Sequence, residues 1–220
     1  RLDAARAVID GPGRRPLVVR PCGPAAALVE VGDARTAATL ADWLRTALPE
    51  AVDLVPAAAS VLVDGVDADP VERVLAGWDG SPGSEDGAPE VVEVGVVYDG
   101  EDLGEVAGLW SCSVEEVVRR HVAVEWVSAF CGFAPGFAYL DGLPAEWAVP
   151  RRSSPRARVP AGSVALADRW CGTYPTESPG GWLLLGRTEA PLWDVDRDPP
   201  ALLPPGTPVR FRALPGGVLP

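Results

Sequence analysis

The sequence predicts an α+β protein in which a small amino-terminal α/β domain precedes a larger, turn-rich β domain. Three observations predict it. Residues 16–78 alternate short strand-like runs with two helix-patterned segments. Residues 78–90 (WDGSPGSEDGAPE) are rich in Gly, Pro, Ser and acid and have no apolar period, the composition of a linker. Beyond His121, short apolar segments are broken every few residues by Pro or Gly as far as Pro208, which favours a closed or partly closed β structure. The boundaries drawn are a loose tail over 1–15, a first domain over 16–85, a second over 86–214 and a short tail over 215–220.

In chain order, Leu17–Arg20 and Ala26–Val31 read as strands around a Cys-Gly-Pro turn. Asp33 is a good N-cap for a helix whose Leu40, Trp43, Leu44, Ala47 and Leu48 share one face, and Pro49 stops it. Val52–Val55 and Val61–Val63 are strands, and Asp69 with Pro70 opens a second helix that ends at Gly77. Val91–Tyr98 begins the second domain as a strand. Two short helices follow, the second marked by Ser113 and Glu116 at capping-box spacing before Val-Val-Arg-Arg-His-Val.

Composition excludes several function classes. A net charge of −12 repels a phosphate backbone and an anionic membrane surface alike, so neither nucleic acid nor membrane is an expected partner. All 19 basic residues are Arg; without Lys there is neither a phosphate-loop lysine nor a Schiff base. No apolar run approaches the ~20 residues of a membrane span, and the opening RLDAARAVIDGPG lacks a signal-peptide core, so a cytoplasmic location is expected. Cys22, Cys112, Cys131 and Cys171 form no CxxC pair and read as reduced thiols.

Familiar motifs fail on inspection. Asp194, Asp196 and Asp198 have calcium-loop spacing, but Pro199 and Pro205 occupy the Gly and Glu positions. Gly11 and Gly13 lack the third dinucleotide glycine, and no GxSxG elbow occurs. With His121 as the only histidine, a multi-histidine metal site cannot be built, and no metal is expected.

Three features remain. Arg151, Arg152, Arg156 and Arg158 lie within eight residues and no acid occurs between Trp147 and Ala167, which reads as an anion site or as a docking surface for an acidic neighbour. Gly180 and Gly181, in Ser-Pro-Gly-Gly-Trp, would offer backbone N–H groups to an anion or simply turn a hairpin. His121 falls late on its helix among apolar neighbours and reads as a core residue or as an acid–base group.

Taken in order, Ser113–His121, GFAPGFAYLDGLP (132–144), Pro-Arg-Arg (150–152), PRARVPAGSVALA (155–167), Gly-Thr-Tyr-Pro (172–175), Ser-Pro-Gly-Gly-Trp (178–182) and Gly-Arg-Thr (186–188) resemble the family of prokaryotic 5-oxoprolinase B subunits, also known as allophanate hydrolase subunit 1 or the Kip inhibitor family. The resemblance extends to Val-Glu-Val-Gly-Asp (29–33) in the first domain. It implies an amino-terminal α/β domain and a carboxy-terminal cyclophilin-like β-barrel. It further implies a larger cyclophilin-like partner (the C component, or allophanate hydrolase subunit 2) and a third component, the assembly opening 5-oxo-L-proline to L-glutamate with ATP.

On that resemblance, the chain is expected to be an obligate member of a complex, inactive alone, with ATP bound mainly through a partner. Its barrel mouth would hold the cyclic amide or its phosphorylated form. Arg151, Arg152, Arg156 and Arg158 would neutralise phosphate or carboxylate, Tyr174 and Ser178 would orient the ring, and His121 would act as general acid or base. Two alternatives stay open: a carboxyltransferase-like module that binds a ureido ring, and an inhibitor of a sensor histidine kinase.

Overall fold

The computed structural model describes Arg6–Val8 and residues 17–81 and 90–218, and the chain divides into two units, Arg1–Ala88 and Pro89–Pro220. The first unit is a five-stranded sheet carrying two helices. Its strands are β1 (Arg6–Val8), β2 (Leu17–Pro21), β3 (Ala26–Glu30), β4 (Asp53–Pro56) and β5 (Ser60–Asp64), in the order β1-β2-β3-β5-β4 with every pairing antiparallel.

Helix α1 (Ala34–Ala47) starts where its capping signal lies: the Asp33 carboxylate accepts from the Thr36 N–H at 2.8 Å. Ala37, Leu40, Ala41 and Leu44 recur at helical spacing and are buried with Val19, Val29, Val61 and Val63 of the sheet. Helix α2 (Ala68–Leu75) begins two residues earlier than expected, with Asp67 and not Asp69 at the N-cap. Pro70 is tolerated in that first turn because the first N–H groups of a helix have no intrahelical acceptor in any case.

The segment expected to be a loose tail holds β1, which pairs Arg6–Val8 with Val19–Leu17. The reason is that β2 would otherwise present an unpaired strand edge. The remainder of 1–16, and residues 82–89 of the expected linker, lie outside the described residues.

The second unit is a seven-stranded sheet in the order β13-β10-β11-β8-β7-β14-β6, built from β6 (Val92–Val96), β7 (Trp126–Cys131), β8 (Ala138–Asp141), β10 (Ser163–Ala167), β11 (Trp170–Thr173), β13 (Leu183–Arg187) and β14 (Pro208–Ala213). A small ribbon pairs β9 (Arg156–Val159) with β12 (Ser178–Gly180). Immediately after β6, Val97 bridges Arg187 at the end of β13, which closes the sheet nearly into a barrel. Closure needs Gly186, because a Cβ there would stand 2.3 Å from the Val97 carbonyl oxygen.

Two helices precede β7. Helix α3 (Leu103–Leu109) follows Asp102, and α4 (Val114–Ala123) is capped by Ser113 Oγ, which accepts from the Glu116 N–H at 3.2 Å. The Glu116 carboxylate does not complete the capping box, since it is drawn to Arg119 and Arg120 one turn on. The expected tail after residue 214 is tied down, with the Val218 N–H donating to the Tyr98 carbonyl at 2.9 Å. Among the described residues, no helix is long and apolar enough to cross a membrane.

Candidate functional site

Strand periodicity gives the barrel sheet two apolar faces. Leu140, Val164, Leu166, Cys171, Leu183 and Leu185 point into the barrel core, whereas Tyr139, Ala165, Ala167, Trp170 and Leu184 form a second cluster with Phe137, Tyr174 and Trp182. On that second face lies a cavity of about 270 Å³, walled by Phe133, Phe137, Tyr139, Trp170, Tyr174 and Trp182. Its volume is at the small end of the ~300–1,000 Å³ usual for ligand pockets.

The wall is rigid because its rings pack edge to face. Phe137 meets Trp182 at 5.5 Å and Tyr174 at 5.4 Å, both close to perpendicular. Burial pushes the Tyr174 phenol up, against the opposing pull of the Trp182 backbone and of the Arg151 and Arg156 charges, so it remains a neutral donor near pH 7. Of the three non-glycine residues with positive φ among the described residues, Phe133 (68°) and Asp168 (53°) both line the cavity. Such strain persists where surrounding structure over-determines it, which is characteristic of binding sites.

Gly180 also lines the cavity, and an added Cβ would meet the Tyr174 hydroxyl at 2.3 Å and its ring at 2.9 Å. A ring packed edge to face on the buried Phe137 cannot swing aside cheaply. Gly180→Ala is therefore expected to push Tyr174 into the cavity, lower stability by roughly 1–3 kcal/mol and reduce ligand affinity. Thermal melts together with ligand titration check this, and an unchanged affinity would contradict it.

The four arginines of the sequence cluster have different fates. Arg151 reaches the cavity and is solvent-exposed, with no acidic partner among the described residues. Arg152 and Arg156 turn inward, donating to Asp102 Oδ1 at 3.1 and 2.8 Å, and Arg156 also meets Glu101 at 2.7 Å. Arg158 pairs with Glu177 at the surface, 2.8 Å away. The four charges thus do not converge on one anion.

Asp102 carries no signal in the sequence that marks it as a site residue. Its carboxylate is 4% exposed, and its second oxygen accepts from the Leu184 N–H at 2.7 Å. This one side chain ties the start of α3, the backbone of β13 and the 150–156 loop together. The loop is held from its other side as well, where the Arg152 N–H donates to the Gly181 carbonyl at 2.8 Å. Gly181 thus anchors the loop and does not line the cavity. Ser178 lies on β12 opposite Val159, its buried hydroxyl without a hydrogen-bond partner, and it too is off the cavity wall.

His121 is a correction. It is 0% exposed in the barrel core on the opposite face of the sheet from the cavity, packed on Phe211 at 4.7 Å and Trp126 at 5.2 Å between ring centroids. Its Nδ1 is 2.7 Å from the Tyr98 hydroxyl and its Nε2 is 3.4 Å from Cys171 Sγ. One neutral tautomer satisfies both contacts: Tyr98 donates to Nδ1, and Nε2–H donates to the sulfur. Burial lowers the His121 pKa to about 3 and raises those of Tyr98 and Cys171, so all three are uncharged near pH 7. Walled off by the sheet, His121 cannot reach a ligand in the cavity as an acid or base.

The signal for the aromatic wall is present in the sequence without being decisive. Phe133, Phe137 and Tyr139 belong to GFAPGFAYL, and Trp182 closes Ser-Pro-Gly-Gly-Trp, so several of the segments carrying the family resemblance meet at the cavity, whereas Ser113–His121 and Gly186–Thr188 do not line it.

The chain is similar to known proteins over most of its described length. The chain is 41% identical over 174 residues to the B subunit of 5-oxoprolinase from Escherichia coli O157:H7, an alignment spanning 74% of this chain and 78% of the relative. Among solved structures, TTHA0988 matches with a TM-score of 0.74 and 35% identity over 90% of this chain, while this chain spans 41% of that longer protein. The Kluyveromyces lactis urea amidolyase shares the fold, with a TM-score of 0.70 at 17% identity, over 94% of this chain and 16% of its own. Residues 17–203 match the family described as Carboxyltransferase domain, subdomain C and D. The chain belongs to this carboxyltransferase-domain family and, within it, to the 5-oxoprolinase B subunits.

Proposed function

We propose that this chain is the substrate-holding B subunit of an ATP-dependent 5-oxoprolinase, and that its aromatic cavity takes the five-membered lactam of 5-oxo-L-proline. The observation that carries this reading is Arg151: a guanidinium with no acidic partner among the described residues, on a small aromatic cavity, fits a compact ring bearing one carboxylate. The rings supply apolar contact to the lactam carbons, and the Tyr174 hydroxyl is a neutral donor on the same wall. A lactam is a poor electrophile, and phosphorylating its oxygen makes the ring carbon open to water. With Arg152, Arg156 and Arg158 already paired with acids, Arg151 is the one member of the cluster without an acidic partner among the described residues, too little for a triphosphate at this site, so we assign ATP to the larger partner or to the third component. The chain is accordingly inactive alone and works in the cytoplasm as part of a hetero-oligomer.

The test is ATP-dependent glutamate release from 5-oxoproline by this chain alone, with its larger partner, and with all three components. Release is expected only from the complete set, and Arg151→Ala is expected to weaken 5-oxoproline binding about 10–100-fold, the usual worth of a hydrogen bond to a charged group. An Arg151→Ala assembly that binds 5-oxoproline normally would remove the cavity from this reading. No release from a well-formed assembly would redirect the search to a ureido ligand.

A further inference from the structure

Asp168 figures in no expectation drawn from the sequence. Ala167 pairs with Trp170 across β10 and β11, so Asp168 and Arg169 alone make the turn. The first turn position has positive φ, which glycine, asparagine and aspartate tolerate best, and here Asp168 adopts φ 53°. Asp168 is exposed to solvent and lines the cavity. Arg169, the adjacent cation, is directed instead to Asp141, and among the described residues the Asp168 carboxylate has no partner of its own.

Its position relative to Arg151 is set by the backbone. The Asp168 N–H donates to the Val149 carbonyl at 2.6 Å, and the Val149 N–H returns the bond at 2.9 Å. Val149 lies two residues before Arg151, so this isolated bridge holds the backbone of Asp168 beside the segment that carries Arg151, and both residues line the one aromatic cavity. The two are not paired with each other. Two unlike charges on one small cavity, neither with a partner among the described residues, suit a ligand with an acceptor at one end and a donor at the other. An ionised carboxylate only accepts hydrogen bonds, so the group it selects must be a donor.

We propose that Asp168 accepts the ring N–H of a cyclic amide acid whose carboxylate is held by Arg151, and that Asp168 thereby selects lactams with a free N–H over N-substituted rings. This rests on the cavity being the cyclic-amide site. A methyl group on the ring nitrogen removes the donor and leaves the carboxylate without a partner, which is how a polar site rejects a near-isostere.

The experiment is a two-by-two calorimetric titration on the assembled complex: wild type and Asp168→Gly, each with 5-oxo-L-proline and with N-methyl-5-oxo-L-proline. Glycine is the replacement because it preserves the turn's positive φ. Wild type is expected to bind the N-methyl compound about 10–100-fold more weakly than the parent. Asp168→Gly is expected to lose the same factor for the parent and to show no further loss for the N-methyl compound, the coupling that marks a direct contact. If wild type binds 5-oxoproline and Asp168→Gly weakens both ligands equally or neither, Asp168 is only a turn residue and the proposal fails while the cavity assignment stands. If wild type does not bind 5-oxoproline, or if Arg151→Ala binds it as tightly as wild type, the cavity assignment itself fails and this proposal with it.

Discussion

Replacing Asp102 by Ala is expected to cost about 3 kcal/mol and to lower the melting temperature of the second unit by roughly 10 °C. The carboxylate is 4% exposed and accepts three hydrogen bonds, two from arginine heads and one from the Leu184 backbone. Removing one partner of a buried ion pair costs about 3–5 kcal/mol because the other charge stays buried and unpaired. The lower end applies here, since the Arg152 side chain is 33% exposed and water can reach it, and Arg156, at 14%, keeps its second partner Glu101 at 2.7 Å. Function should fall with stability, because the freed loop is the one that presents Arg151.

Glu105→Ala is the matched control. Glu105 is 50% exposed and lies 4.0 Å from Arg152, so its loss should change stability by well under about 1 kcal/mol. Thermal melts of the two variants make the comparison: equal melting temperatures would mean that Asp102 organises nothing.

The second large effect is acid sensitivity arising from His121. In the unfolded chain an imidazole takes up a proton near pH 6.5, whereas in the folded chain burial delays uptake until about pH 3. Between those values the unfolded state binds the extra proton, so stability falls as the pH drops through this window, and the histidine contributes no slope above it. Across the whole window of about 3.5 pH units the loss is roughly 4–5 kcal/mol. Because His121 is the only histidine, its imidazole NMR signal is unambiguous: it should not titrate between pH 8 and 5 in the folded protein. An inflection near pH 6.5 would contradict the burial.

Substitution separates structure from chemistry at the same position. His121→Ala is expected to destabilise by roughly 3 kcal/mol through a cavity and the orphaned Tyr98 and Cys171 groups. His121→Gln keeps two polar ends facing them without a titrating ring, and should retain turnover while flattening the acid limb of the stability curve. Turnover abolished in a folded Gln variant would return His121 to a catalytic role.

Whatever depends on near neighbours is written in the chain itself. The Asp33 and Ser113 caps, the apolar face of α1 and the strands around the Cys-Gly-Pro turn follow from spacings of two to four residues, and all appear in the structure. Tyr174, Gly180 and Arg151 are also legible, because they sit in short segments whose order carries the family resemblance.

Which of these residues meet is a matter of long-range packing. Whether Arg152 and Arg156 are free depends on Asp102, 50 and 54 positions earlier, and no local pattern encodes that pairing. Whether His121 can reach the aromatic cavity depends on which face of β11 it packs against, and strand alternation places Cys171 on the core side and Trp170 on the cavity side. Asp168 and Arg151 line one cavity, and the Val149 bridge to Asp168 joins their two segments there. Local periodicity specifies a residue's own element and face, but a site is made where the closing of the barrel brings distant faces together.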